Sequence, residues 1–385
     1  KGVIIASYVP PFLGIKANQI EDWASDNIGS RIRLPVFIRT LIHSSGNGLI
    51  KVDIPGNDDA ERKEWDGYVE SSEATSWIPI GKSGWEFGTS TDISAKAEND
   101  FTPRTVAIEK AERIKTTFVF VTPRRWKGKA KWVASARAKK QWKDVRAYDA
   151  DNLEQWLEQS IVGQAWFAHE TASPASGVRS LDKCWKDWAN VAAPPLSASL
   201  FDPAISSAKK TLLNHLTKSP DGLLIIAADS VEEALAFLSQ ALGERGGEEL
   251  LSFRDRVLVI DQEGVLPKLT IGGSQTFIPV ASTRSVESEM APIVKTMHCI
   301  SVYPGNAAGI NPHIVLQPVG YEVFEKALKE MGNDRDATNR LAEESGRSLT
   351  VLRRRLAQTP AIQRPEWTVK QDVAASLLPI MFAGA

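Results

Sequence analysis

Cysteine is nearly missing from this sequence. The 385 residues hold two, Cys184 and Cys299, far apart and in no CxxC pair. That excludes a disulfide framework and a cysteine-rich zinc site, and it makes a reducing cytoplasm the simplest home. The five histidines, His43, His169, His215, His298 and His313, show no metal spacing. Neither sign of charge is in excess. The formal net charge is −1, so the chain as a whole selects no partner and any nucleic-acid footprint has to be local. No apolar run approaches the roughly 20 residues a membrane span needs, so no membrane partner is expected. Residues 1–11 are apolar but lack the order of a signal peptide. There is no Gly-x-Ser-x-Gly elbow and no Gly-x-Gly-x-x-Gly fingerprint. A true phosphate loop is also missing: Gly81-Lys82-Ser83 mimics the end of one, but it precedes a strand and has Ser76 where the first glycine belongs. The chain opens without methionine and stops in the apolar run Met381-Phe382-Ala383-Gly384-Ala385, which reads as a piece of a longer polypeptide.

Tryptophan, by contrast, is plentiful and uneven. Eleven of the twelve lie at or before Trp188, and only Trp367 follows. Residues 171–206 are rich in Ala, Ser and Pro and read as a linker. The expected organisation is a first domain over 1–170, the linker 171–206, an α/β domain over 207–320 and a helical segment over 321–385. In the first domain, 19–25 and 31–43 carry helical patterns, and 49–54, 67–70 and 84–89 read as short strands. A helix-favouring stretch follows from 93 to about 114. Thr116 to Thr122 is a continuous β-branched and aromatic run, expected as a buried strand. A basic helical segment, a strand over 144–148 and a helix over 151–159 complete the order α-β-β-β-α-β-α-β-α. Asp149 or Asp151 suits the cap of that last helix. In the second domain, 222–228 and 256–261 are strongly strand-like, 276–280, 297–302 and 313–317 less so, with an amphipathic helix over 231–242. Strand–helix–strand units imply a parallel sheet.

Two carboxylates hold the best candidate chemistry. Asp66 opens the strand Gly67-Tyr68-Val69-Glu70, and Glu86 lies inside the next, Gly84-Trp85-Glu86-Phe87, with nineteen residues between the acids. Acids on neighbouring strands can share one Mg²⁺ or Mn²⁺, because a hard cation takes one or two carboxylates and completes its shell with substrate phosphate. Bland readings stand beside this one. An Asp before Gly is common in turns, and a Glu on a strand is often only a solvated face. Glu70, four residues after Asp66 and so on the same face of the strand, and Glu21 and Asp22 are further carboxylates that fit surface charges better.

This order of elements, with Trp65-Asp66-Gly67 and Glu86-Phe87-Gly88 at the two acidic positions, resembles the PD-(D/E)XK (restriction-endonuclease-like) nucleases over about residues 17–165. The resemblance implies metal ligation by Asp66 and Glu86 and hydrolysis of a phosphodiester. The family places a lysine two residues after the second acid, and Gly88 stands there. Relatives supply that cation from the following helix, which points to Lys96, with Lys82 as a second possibility. The phrasing Trp85-Glu86-Phe87-Gly88-Thr89-Ser90, followed by Lys96-Ala97-x-x-Asp100-Phe101, also resembles bacterial proteins in which this fold heads a large STAND-type, NTPase-like polypeptide. Many of those are thought to act in anti-phage defence.

A basic run starts at Arg124-Arg125-Trp126-Lys127 and continues through Lys129, Lys131, Arg137, Lys139, Lys140, Lys143 and Arg146, with Asp144 as its one acid. Lys and Arg neutralise phosphates, and Arg124, Arg125 and Lys127, just past a strand end, are the expected nucleic-acid contacts. Trp126, Trp132 and Trp142 fit base stacking or core buttressing, the latter preferred for Trp142. In the second domain, Arg256-Val257-Leu258-Val259-Ile260-Asp261 looks like the acidic strand of a P-loop NTPase. The preceding strand, however, runs into Asp229-Ser230-Val231-Glu232-Glu233, without glycines or lysine. The domain therefore resembles a degenerate P-loop-NTPase-like core with no ATP-binding residues, and Asp261 reads as a strand-end cap. Residues 337–357 resemble a helix-turn-helix or winged-helix segment with Gly346 at the turn. Arg353, Arg354 and Arg355 could reach DNA, although internal packing is the preferred role.

The expectation is a metal-dependent DNA endonuclease serving as effector of a bacterial defence protein, with Asp66, Glu86 and Lys96 as its centre. The alternative is a nuclease fold that binds nucleic acid or assembles without cutting. A second copy of the chain, a protein trigger and further domains of the same polypeptide stay open as partners.

Overall fold

The computed structural model describes residues 14–26, 29–56, 65–171, 177–270, 276–307, 309–364, 370–373 and 375–376. Residues 1–11, the linker residues 172–176, Trp367 and the last five residues fall outside them. The protein is α/β with mixed and parallel pairing, and it divides into two compact units. The first is Lys1–Ser180 with Asp255–Pro279, and the second is Leu181–Arg254 with Val280–Ala385.

The first unit runs α1 (Ala17–Asp26), α2 (Ser30–Ser45), β1 (Leu49–Asp53), β2 (Gly67–Ser71), β3 (Gly81–Phe87), α3 (Ile93–Ala107), α4 (Lys110–Arg113), β4 (Thr116–Val121), α5 (Lys129–Ala138), β5 (Asp144–Tyr148), α6 (Ala150–Leu157), α7 (Ile161–Glu170) and β6 (Val178–Arg179). Strands β1 to β5 form one sheet in chain order. The β1–β2 and β2–β3 pairs are antiparallel, and β3–β4 and β4–β5 are parallel. The change of sense follows from the connections. A short turn region joins β2 to β3, whereas helices α3 and α5 carry the crossovers that parallel neighbours require.

Period-two alternation divides β3 and β4 between two helical layers. Trp85, Phe87, Val119 and Val121 join side chains of α1, α2, α6 and α7 in one cluster. Phe118 and Phe120 face the other way, onto Ile93, Ala97 and Phe101 of α3 and Ala136 of α5. Glu86 shares that second face. Trp77 and Trp156 stack at 5.6 Å, and the Trp156 indole donates to Ser45 Oγ at 2.7 Å. Of the two cap candidates for α6, Asp149 makes the bond, accepting from Asn152 N.

The second unit contains α8 (Leu181–Ala189), α9 (Asp202–Thr217), β7 (Leu223–Ala228), α10 (Val231–Ala241) and α11 (Glu248–Arg254). The chain then returns to the first unit for β8 (Val257–Ile260) and α12 (Val265–Leu269). Back in the second unit come the end of β9 (Ile278–Ala281), α13 (Arg284–Glu289), β10 (Cys299–Pro304), β11 (Ile314–Val315), α14 (Tyr321–Glu330), α15 (Arg335–Ser345), α16 (Leu349–Leu356) and α17 (Pro360–Gln363). Its strands lie parallel in the order β11-β7-β10-β9. No described helix is long and apolar enough to cross a membrane.

Three expectations are corrected here. The described part of the 171–206 linker is folded. Leu181, Cys184 and Trp188 recur at helical spacing on α8 and are buried, a pattern that the Ala/Ser/Pro composition around them concealed. Residues 255–279 belong with the first unit. Asp255, almost fully buried, accepts from Arg39 Nε at 3.0 Å and bonds His43 Nδ1 at 2.8 Å, and Thr276 Oγ1 donates to Ser44 O. Asp261 is more than a cap: Arg179 grips it in a two-bond fork at 2.6 and 2.8 Å, tying β6 to β8.

In the second unit, Gly346 takes a left-handed φ of 57° between α15 and α16, the conformation glycine tolerates best. Arg353 is turned inward, its guanidinium bonding the carbonyls of Asp187 and Trp188 at 3.1 Å. Ser230 caps α10 by accepting from Glu233 N. Glu233 is buried, takes a 2.6 Å bond from Thr350 Oγ1, and lines a cavity of about 240 Å³ with Phe201, His313 and Leu349. Burial, with Asp229's charge adding, pushes its carboxyl up to about 7. The folded chain therefore holds a proton that the unfolded chain releases at its ordinary value. The stability from this group is full below about 4.5 and is lost as pH rises toward 7. Glu233→Gln is expected to remove that slope. Urea titrations at pH 5 and pH 8 should show the variant gaining on wild type by on the order of 3 kcal/mol between the two. An equal pH response in both proteins would refute the assignment.

Candidate active site

The hairpin sets the acids opposite one another. Gly67 pairs with Trp85 in the β2–β3 ladder, and one step further on puts Asp66 beside Glu86. Asp66 Oδ2 accepts from Phe87 N at 2.8 Å, so the carboxylate is pinned to the end of β3 by a backbone donor. Glu86 is 3 % exposed. Burial, and then the charge of Asp66, push its carboxyl up to about 8, against the opposing pull of Arg104.

Helix α3 supplies the rest. Lys96, Asp100 and Arg104 stand at i, i+4 and i+8, one stripe of the helix beside the buried Ala97 and Phe101. The Lys96 ammonium donates to Asp100 Oδ1 at 2.6 Å. The Asp100 carboxyl is raised above the usual range by burial, and its Oδ2 is buried with no hydrogen-bond partner. The cation that touches Glu86 is Arg104, through Nε to Oε1. Its guanidinium also lies over the Trp65 ring at 5.7 Å. Lys96 thus reaches the centre through Asp100, while Asp100 and Arg104 are members that motif reading did not single out. Their helical spacing from Lys96 was the available signal.

Two glycines make room for this arrangement. At Gly88 a Cβ would lie 2.8 Å from Lys96 Cγ and 2.8 Å from Phe120 Cζ. The stem of Lys96 fills the space from which a side chain at 88 would start. Trp65 lies flat on Gly84, where a Cβ would overlap its six-membered ring. Gly84→Ala has to lift Trp65 away from Trp142 and Phe118 as well, and it is expected to cost about 1–3 kcal/mol. A chemical-denaturation midpoint equal to wild type would contradict that packing.

The other candidates do not join. Glu70 and Lys82 pair at the far end of the β2–β3 ladder. Glu21 accepts from Arg125 N at 3.3 Å. Arg124 ties the segment after β4 to Thr89 O at 2.7 Å and to Ser25 Oγ at 3.0 Å. Arg125 is exposed and meets Asp151 at 3.2 Å, and Lys127 is exposed. Much of the basic run is neutralised within the unit: Lys129 by Asp149, Arg137 and Arg146 by Asp144, and Lys139 by Glu98. The stacking role fails for the tryptophans. Trp126, Trp132 and Trp142 pack into the α3–α5 cluster and donate to Ser94, Glu98 and Thr105.

Among the described residues, no group of three His, Cys, Asp or Glu side chains is spaced to hold a metal ion. A Mg²⁺ that takes one or two carboxylates asks for less. Asp66 and Glu86 offer hard oxygens on adjoining strands, and Asp100 Oδ2 is buried without a hydrogen-bond partner. The donor set suits such an ion, provided Arg104 yields Glu86. No protein-family model matches the chain, and no curated protein matches it in sequence.

Proposed function

We propose that the first unit is a metal-dependent DNA endonuclease of the PD-(D/E)XK kind, acting as the effector of a bacterial defence protein. The observation that carries this reading is the meeting of Asp66 and Glu86 across one strand pair with the Lys96–Asp100–Arg104 stripe. Asp66 and Glu86 would hold Mg²⁺ or Mn²⁺. Such an ion, when bound, neutralises charge on the scissile phosphate and makes a water acidic enough to attack. The backbone donor at Phe87 keeps Asp66 oriented, and the fully buried Phe120 lies beside Glu86 on the neighbouring strand. Lys96, held by Asp100, stabilises charge that builds on phosphate oxygens. Exposed Arg125 and Lys127 meet the DNA backbone, while Arg124 braces the Thr89 segment. For the second unit the reading as a degenerate NTPase-like sensor or scaffold rests on its parallel β7–β10 pairing, since the acidic strand Val257–Ile260 lies in the first unit. Ser230 and Glu232 open α10 where a phosphate loop would need glycines and lysine, and the acid Glu232 there repels phosphate.

A non-cutting module draws support from one observation, the Arg104–Glu86 ion pair, which gives Glu86 a cation already. A plasmid-nicking assay separates the two. Supercoiled plasmid is expected to be nicked in Mg²⁺ or Mn²⁺, and the nicking should stop with chelator and in the double variant Asp66→Asn, Glu86→Gln. No nicking in either metal, or equal nicking in the variant, would support the non-cutting module instead.

A further inference from the structure

We propose that Arg104 is the centre's internal counter-ion. It occupies Glu86 before a divalent cation does, is displaced by that cation, and then presents its guanidinium to the substrate phosphate. This rests on the reading of Asp66 and Glu86 as metal ligands.

The geometry supplies the reasons. Arg104 Nε bonds Oε1 of Glu86, and a divalent cation that takes that same oxygen meets strong repulsion from the guanidinium in a site from which water is largely excluded. The cluster sets three acids, Asp66, Glu86 and Asp100, against two bases, Lys96 and Arg104. An ion pair present only to neutralise Glu86 would not need Asp66 and Asp100 crowded around it, nor leave Asp100 Oδ2 buried without a partner. Arg104 also touches a second group while it holds Glu86. Trp65 lies under the guanidinium and immediately precedes Asp66 in the chain. A guanidinium that leaves Glu86 thus stays at the rim of the same centre. The planar fork of arginine matches two phosphate oxygens at once, which lysine cannot do. Arg104 sits two helical turns from Lys96 on the same stripe, so both cations line one side of the acid cluster from one helix.

Binding of Mn²⁺ alone to the full chain, followed by electron paramagnetic resonance, tests this without any turnover. Arg104→Gln is expected to bind Mn²⁺ at least about tenfold more tightly than wild type, because a charge-assisted competitor for Glu86 is gone. The same variant should bind a short DNA duplex more weakly in Ca²⁺. Equal Mn²⁺ affinity in wild type and Arg104→Gln, with binding abolished in Glu86→Gln, would overturn the role of Arg104 and leave the metal reading standing. No binding in wild type or Arg104→Gln, or binding that survives in Glu86→Gln, would overturn both. Circular dichroism checks folding. If Arg104→Gln does not fold, Arg104→Lys is read in its place, with severalfold tighter binding expected and unchanged affinity counting against the proposal.

Discussion

The double variant Asp66→Asn, Glu86→Gln is expected to nick plasmid on the order of a thousand-fold more slowly than wild type, the scale on which removing charge-stabilising groups from an active centre acts. The fold should survive. The side-chain amide introduced at position 66 can still accept from Phe87 N through its carbonyl oxygen, and the amide introduced at position 86 can still accept from Arg104, so both changes remove charge while keeping shape. Initial rates at saturating Mg²⁺ provide the measurement, with thermal unfolding as the control. A rate within about tenfold of wild type, on a folded protein, would remove these acids from any catalytic role.

Lys96→Met should lower nicking by about a hundred-fold, comparable to losing one oriented donor to developing charge. It also strips Asp100 of its bond from Lys96 and leaves both oxygens in a half-buried site, at a cost of about 1–3 kcal/mol. The companion variant Lys96→Met, Asp100→Asn separates the two effects. Stability should return toward wild type because an amide is neutral, while activity stays low because the cation is still missing. If activity returned with stability, Lys96 would be only a structural partner of Asp100. Placing the lysine where the nuclease family has it does not help. Gly88→Lys pushes its Cβ against Lys96 and Phe120, so it should destabilise the chain and leave nicking no faster.

Much of the first unit was legible because its signals are local. The run Thr116–Val121 can only be a doubly buried strand, and the short region between β2 and β3 fixes the register that brings Asp66 beside Glu86. What sequence could not supply were facts set by the docking of one element on another. Arg104 lies inside the stretch read as helix, but nothing local says which face of that helix meets the sheet. Only the packing of α3 on the sheet turns its stripe toward Glu86. The basic run looked like a phosphate track because its partners Glu98 and Asp149 lie in other segments. The segment after Arg254 looked like one more strand of the second domain, since nothing local marks Asp255 as the partner of Arg39 and His43.

That last contact has a consequence for how the protein is made. A unit assembled from Lys1–Ser180 and Asp255–Pro279 cannot be completed while the ribosome is still translating the roughly hundred residues between Ser180 and Pro279. At bacterial and eukaryotic elongation rates that delay is about 5–20 s. For most of that interval Arg39 and His43 wait for a carboxylate that has not yet been synthesised. The first unit thus gains its last structural piece only after part of the second unit has been made, and whatever chemistry it performs begins later in synthesis than the position of its first 180 residues would suggest.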